Sequence, residues 1–148
     1  MWIFGSDPAL SRDAADQLLA DVDNFLALWK AHGAPLTCAR DWTHDRFLTI
    51  GVDTTQESAS GCSIDGLFRT LQGLERTLGA RLLAGGRVFY RGDDGRVRAA
   101  SRDEFVSIAA TGQASPDTPV FDTTVTTAGD RRARFETTAA ASWVGRLL

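Results

Sequence analysis

The stretch SRDAADQLLADVDNFLALWKAHG, residues 11–33, decides how this chain folds. Ser11 is a good N-cap, and Asp13 sits in the first turn, where the helix dipole favours a negative charge. Ala15, Leu18, Leu19, Val22, Phe25, Leu26 and Trp29 then fall on one helical stripe. Gly33 supplies a C′ residue and Pro35 follows it, so the helix is expected to end near His32. Such a stripe must be buried against another layer, and the flanking sequence supplies one.

Upstream, Trp2-Ile3-Phe4 is a short apolar run stopped by Gly5-Ser6-Asp7-Pro8, a strand and a turn. Downstream, Leu36 to Trp42 and Phe47 to Asp53 read as strands joined by the polar hairpin residues Thr43 to Arg46. In the second of these, Leu48, Ile50 and Val52 alternate with Phe47, Thr49 and Gly51, as in a half-buried strand. A second amphipathic helix places Ile64, Leu67, Phe68, Leu71, Leu74 and Leu78 on one face, with Gly79 at its end. Val88 to Arg91 and Arg96 to Ala100 flank Gly92-Asp93-Asp94-Gly95, a hairpin turn.

The order β-α-β-β-α-β is the split arrangement of the ferredoxin-like fold. The expected class is therefore α+β, a ferredoxin-like antiparallel sheet with two helices on one face. A C-terminal extension follows: the hairpin, a short helix opened by the capping box Ser101 to Glu104 and running through Ala110, and a strand over Thr118 to Thr127. In the tail, Ser142-Trp143-Val144 is expected to dock on the body. No repeat or long linker divides residues 1–148, which read as a single domain.

Bulk properties narrow the function classes. Hydrophobic residues make up 43% of the 148 and charged residues 24%, ordinary for a globular protein able to bury its own core. The net charge of −3 argues against a dedicated nucleic-acid binder, although 15 of the 16 cations are arginine, a residue suited to phosphate and carboxylate. Met1 to Asp7 lack a basic n-region and turn polar after four residues, so no signal peptide is expected, and no run approaches the ~20 apolar residues of a membrane span. Cys38 and Cys62 make neither a CxxC pair nor a disulfide framework, so a reduced, cytoplasmic setting is expected. With Lys30 as the only lysine and no Gly-x-x-x-x-Gly-Lys-Ser/Thr loop, a P-loop ATPase is excluded.

Chemistry concentrates between Asp53 and Asp65, which run from a strand end through small hydroxyl residues into a helix start. Free backbone N–H groups at such a start attract anions, and Gly61 permits close approach. Cys62 is the candidate nucleophile, its thiolate favoured by the dipole and opposed by Asp65 one turn on. The expected topology brings the end of the first helix to the same sheet edge. His32 is then the candidate base, Asp53 or Asp65 its orienter, and Ser60, Gly61 and Ser63 the anion contacts. A plainer reading stands beside this one: Cys62 fills a small gap, His32 caps a helix end, and Ser60, Ser63 and Asp65 are ordinary residues of a helix start.

Cys38, Cys62, His32 and His44 lack metal-ligand spacing, so neither metal nor other cofactor is expected. Arg87, Arg91, Arg96 and Arg98, with Phe89 beside them, form a basic strip diluted by Asp93 and Asp94, better read as a solvated hairpin face.

Trp29-x-x-His32-Gly33-x-x-Leu36, Phe47, Val52-Asp53, Ser60-Gly61-Cys62-Ser63-Ile64-Asp65 and Ser142-Trp143 together resemble a family of small bacterial proteins. That family is found notably in Bacteroidetes and relatives and often carries the label "ABC transporter ATPase". The likeness spans nearly the whole chain, and Ser-Gly-Cys-Ser-Ile-Asp is its most specific part. It implies a shape and a region of interest, placing His32, Asp53, Cys62, Ser63 and Asp65 in matching motifs without assigning them roles.

Two functions follow as expectations. One is a thiol or small-anion site at the start of the second helix, with a small anionic ligand as partner. The other is a non-enzymatic module that pairs through its sheet face or edge, as a homodimer or with protein or RNA. The residues leave open whether the chain is an enzyme.

Overall fold

The computed structural model describes residues 1–148, which form two compact units, Met1–Leu83 and Ala84–Leu148. The class is α+β, with antiparallel sheets. No helix is long and apolar enough to cross a membrane.

The first unit runs β1 (Trp2–Gly5), α1 (Arg12–Leu28), β2 (Lys30–Ala31), β3 (Ala34–Pro35), β4 (Cys38–Thr43), β5 (Phe47–Val52) and α2 (Gly61–Leu78). Its main sheet has the order β1-β5-β4, with Trp2 opposite Ile50, Phe4 opposite Leu48 and Trp42 opposite Leu48 from the other side. Residues directly opposite share a face, and these five pack with Leu18 and Val22 of α1 and Leu67 and Leu71 of α2 in one core. Each such buried aliphatic or aromatic side chain contributes about 1.5–3 kcal/mol. Phe47 to Ile50 are all buried, so β5 is covered on both faces and the half-buried reading of its alternation does not hold.

Two expectations need correction here. The four-stranded ferredoxin-like sheet is not formed, because Val88–Arg91 belongs to a different sheet. Beside β1 the chain leaving α2 makes only one bridge, between Asp7 and Arg81. Gly79 ends α2 in the left-handed region (φ 63°), and the Glu75 carboxylate then accepts the backbone N–H groups of Leu82 (2.7 Å) and Leu83 (2.8 Å). Those donors are spent on a side chain, so the ladder stops after Arg81. The second correction is at the end of α1, which stops at Leu28 rather than near His32. Gly33 is not its C′ residue: His32 (φ 52°) and Gly33 (φ 79°) form the tight turn of the β2–β3 hairpin. Two positive φ values in sequence are what a two-residue hairpin loop requires.

The second unit runs β6 (Val88–Arg91), β7 (Val97–Ala100), α3 (Arg102–Ala110), β8 (Pro119–Phe121), α4 (Ala128–Arg134), β9 (Glu136–Thr138) and a closing 3₁₀ turn (Trp143–Leu147). Its sheet has the order β7-β6-β8-β9, and Val88, Tyr90, Phe105, Val120 and Val144 form its core. The Ser101–Glu104 capping box is present, and Val144 docks the tail. The strand expected over Thr118 to Thr127 is confined to Pro119–Phe121. Asp122, nearly buried, turns the chain: its N–H donates to the Phe135 carbonyl (2.7 Å) and its carboxylate accepts the Thr124 N–H (2.9 Å). The short helix α4 that follows has no apolar stripe, so periodicity gave no sign of it.

Candidate functional site

The start of α2 is held by two serines and a tryptophan. Ser60 is the N-cap, its Oγ accepting the Ser63 N–H at 3.2 Å while its carbonyl accepts the Ile64 N–H. The Ser63 hydroxyl donates to the Ser60 carbonyl (2.8 Å) and accepts from the Ser60 hydroxyl (3.1 Å). Both hydroxyls are thus engaged within the cap. The Trp29 indole N–H donates to the Ser63 carbonyl at 2.8 Å in a buried bond. Trp29 leaves α1 with an extended backbone, and its ring packs edge-on to Trp2 and tilted against Phe25.

Gly61 and Cys62 lie exposed on the first turn of α2, and Cys62 is a free thiol. His32 is exposed at the tip of the β2–β3 turn, and β2 packs against α2. No hydrogen bond joins His32, Asp53 or Asp65 to Cys62. The Asp53 carboxylate instead accepts the Thr55 N–H (3.0 Å) and hydroxyl (2.7 Å), and these donors hold its pKa below the usual carboxylate range. Asp65 is exposed one turn beyond Cys62. Cys38, half-buried, points its sulfur at the Leu26 carbonyl (3.7 Å), and burial pushes its pKa up. No three His, Cys, Asp or Glu residues come together as a metal-binding group.

The second unit holds a cleft of about 370 Å³ that the sequence did not reveal. Arg87, Arg102 and Arg146 line it with Thr123, Thr124 and Trp143, and no carboxylate does. Arg102 is the first residue of α3, fixed by the capping box: Glu104 Oε2 accepts the Ser101 N–H (2.6 Å) and Ser101 Oγ accepts the Glu104 N–H (3.2 Å). Its guanidinium lies over the Trp143 ring, 5.2 Å from the centroid. On another side it borders Gly86, where a Cβ would sit 3.5 Å from the Arg102 Nε. Trp143 and Arg146 are placed by the 3₁₀ turn, whose cap Ser142 accepts the Val144 N–H (3.1 Å) and donates to the Ala139 carbonyl (3.0 Å). Gly145 lets this turn approach: a Cβ there would lie 3.0 Å from the Ala139 carbonyl oxygen. Glu104, which lies 3.8 Å from the Arg87 guanidinium, also accepts the Ser101 N–H, and the Asp122 carboxylate accepts the N–H and hydroxyl of Thr124 beside the cleft.

Two other arginines of the expected basic strip, Arg91 and Arg98, are paired with acids. Arg91 donates to Glu136 (2.9 and 2.6 Å) and to the Gly95 carbonyl, and Arg98 meets Asp94 at 3.1 Å. Only Arg87 of that strip lines the cleft. The arginine bias was the one signal in the sequence; positions 87, 102 and 146 share no local spacing by which to group them. Comparison with protein-family models, with curated proteins and with solved structures returned no match to this chain.

Proposed function

We propose that this protein binds a small anionic molecule in the arginine-lined cleft of its second unit. The observation that carries this reading is the lining itself: Arg87, Arg102 and Arg146 with Thr123, Thr124 and Trp143 around one concavity, with no acidic residue among them. Small-molecule sites are typically clefts of about 300–1,000 Å³ with a few convergent polar groups on an apolar wall. Guanidinium forks match planar or tetrahedral oxyanions two bonds at a time. Clustered like charges also concentrate anions locally on a chain whose net charge is −3. Thermal unfolding tests it: phosphate should raise the midpoint beyond chloride at equal ionic strength, because a ligand of the native state stabilises by mass action. The Arg102→Ala, Arg146→Ala double variant should lose that difference. Equal midpoints in phosphate and chloride for the native chain would remove the reading.

A second reading keeps the site at the start of α2, and it is favoured by the exposure of Cys62 on a rigidly capped first turn. Cys62 is the nucleophile, His32 its base, Asp53 or Asp65 the orienter, with Ser60, Gly61 and Ser63 contacting the anion. Thiol modification measured against pH, with Cys38→Ser as background, decides it. A rate inflection well below the ~8.5 of free cysteine that His32→Ala abolishes supports it, and ordinary reactivity removes it.

A further inference from the structure

We infer that the ligand of the second-unit cleft is a monocarboxylate with a small apolar body; the inference rests on the anion-binding reading above. Of the three arginines in the lining, Arg87 is met by Glu104 at 3.8 Å and is counted as compensated. Arg102 and Arg146 remain, and the Asp122 carboxylate stands beside the cleft, bonded to the N–H and hydroxyl of Thr124. Two guanidiniums against one carboxylate leave a single positive charge to be balanced. A monoanion balances it, whereas a dianion brings one negative charge too many next to Asp122.

Among monoanions the donors favour a carboxylate. Arg146 is exposed on the closing 3₁₀ turn and makes no hydrogen bond or ion pair within the chain, so its fork is open to a ligand. A guanidinium meets a carboxylate two bonds at a time. Arg102 is held over the Trp143 ring, 5.2 Å from its centroid, and supplies charge from a fixed position. Thr124 gives its hydroxyl to Asp122, whereas the Thr123 hydroxyl is bonded to nothing in the chain and adds one donor.

Trp143 and Leu147, both half-buried, give the same cleft an apolar wall that a bare ion cannot use. An apolar group placed against it leaves water and adds affinity with the area covered. The cleft's volume of about 370 Å³ lies at the small end of the range for ligand sites, which suits a body of about one ring.

The test is calorimetric titration of the full chain near neutral pH with benzoate, acetate, benzamide and inorganic phosphate. Benzoate should bind about tenfold tighter than each of the others, a difference of about 1.4 kcal/mol. Arg146→Ala should weaken benzoate about tenfold, and Arg146→Lys should recover only part of the loss because the fork is gone. Asp122→Asn keeps an acceptor for Thr124 and removes the charge, so inorganic phosphate should gain on benzoate by about tenfold. Should that variant not fold, the native chain and the Arg146 variants still decide. Acetate binding as tightly as benzoate would show that the apolar wall is not used, and phosphate binding as tightly would show that the charge balance is wrong. Either result overturns this inference and leaves the anion site standing. Benzamide binding as tightly as benzoate, or no binding by any of the four, overturns both readings.

Discussion

The Trp29 indole N–H and the Ser63 carbonyl, separated by 34 positions in sequence, meet in a buried hydrogen bond of 2.8 Å. This bond ties the end of α1 to the first turn of α2, and it explains how the Trp-x-x-His-Gly and Ser-Gly-Cys-Ser segments are joined. The join runs through the tryptophan, not through the histidine and the cysteine.

Trp29→Phe should therefore cost about 1–3 kcal/mol, the range for stranding a buried hydrogen-bonding group. Trp29→Ala should cost about 3–5 kcal/mol, because packing against Trp2 and Phe25 goes as well. Urea unfolding measures both. Equal stabilities for Trp29→Phe and the native chain would show that the bond contributes nothing.

Glu75→Ala should destabilise the first unit by about 2 kcal/mol, since one carboxylate accepts two backbone donors, from Leu82 and Leu83. Glu75→Gln keeps an acceptor and should lose less. Hydrogen exchange should quicken first at the Leu82 and Leu83 amides, and unchanged protection there would contradict the role given to Glu75 in ending the sheet.

The Glu104 carboxyl is held below its ordinary value, first by the Ser101 backbone N–H and then by the Ser101 side chain. A folded-state pKa below the unfolded one gives stability that is present above the unfolded value, about 4.3. That stability is lost as pH falls through the lower folded value. The α3 start should thus loosen only in acid below the usual glutamate range. A carboxyl-carbon NMR titration of Glu104 with a midpoint at or above about 4.3 would contradict this.

Gly145→Ala should cost about 1–3 kcal/mol, because the new methyl meets backbone at 3.0 Å from the Ala139 oxygen and 3.2 Å from the Ala140 Cα. As the same turn places Trp143 and Arg146, phosphate binding should weaken with it. Native stability in this variant would show that the turn can shift freely.

The elements of the first unit were legible wherever periodicity was strong. The stripes of α1 and α2 and the pairing of β4 with β5 follow from apolar spacing and turn residues. The early end of α1 was not legible, because Gly33 is equally good as a helix C′ residue and as half of a hairpin turn. The missing fourth strand turned on Glu75 reaching forward to Leu82 and Leu83, a side-chain choice that no pattern records. For the α2 start, the caps were legible from Ser60 and Ser63, while the involvement of Trp29 was hidden by its place in an apolar stripe. The cleft was invisible for a plainer reason: its residues come from five separate stretches between Gly86 and Leu147.

The most direct measurement is an NMR titration of the isotope-labelled chain with inorganic phosphate, following every backbone amide and the Trp143 indole N–H. Saturable shifts at Gly86, Arg87, Arg102, Thr123, Thr124 and Trp143 to Leu147 are the expected result. Shifts centred instead on Ser60 to Ser63, or none that saturate, would contradict the assignment of anion binding to the second-unit cleft.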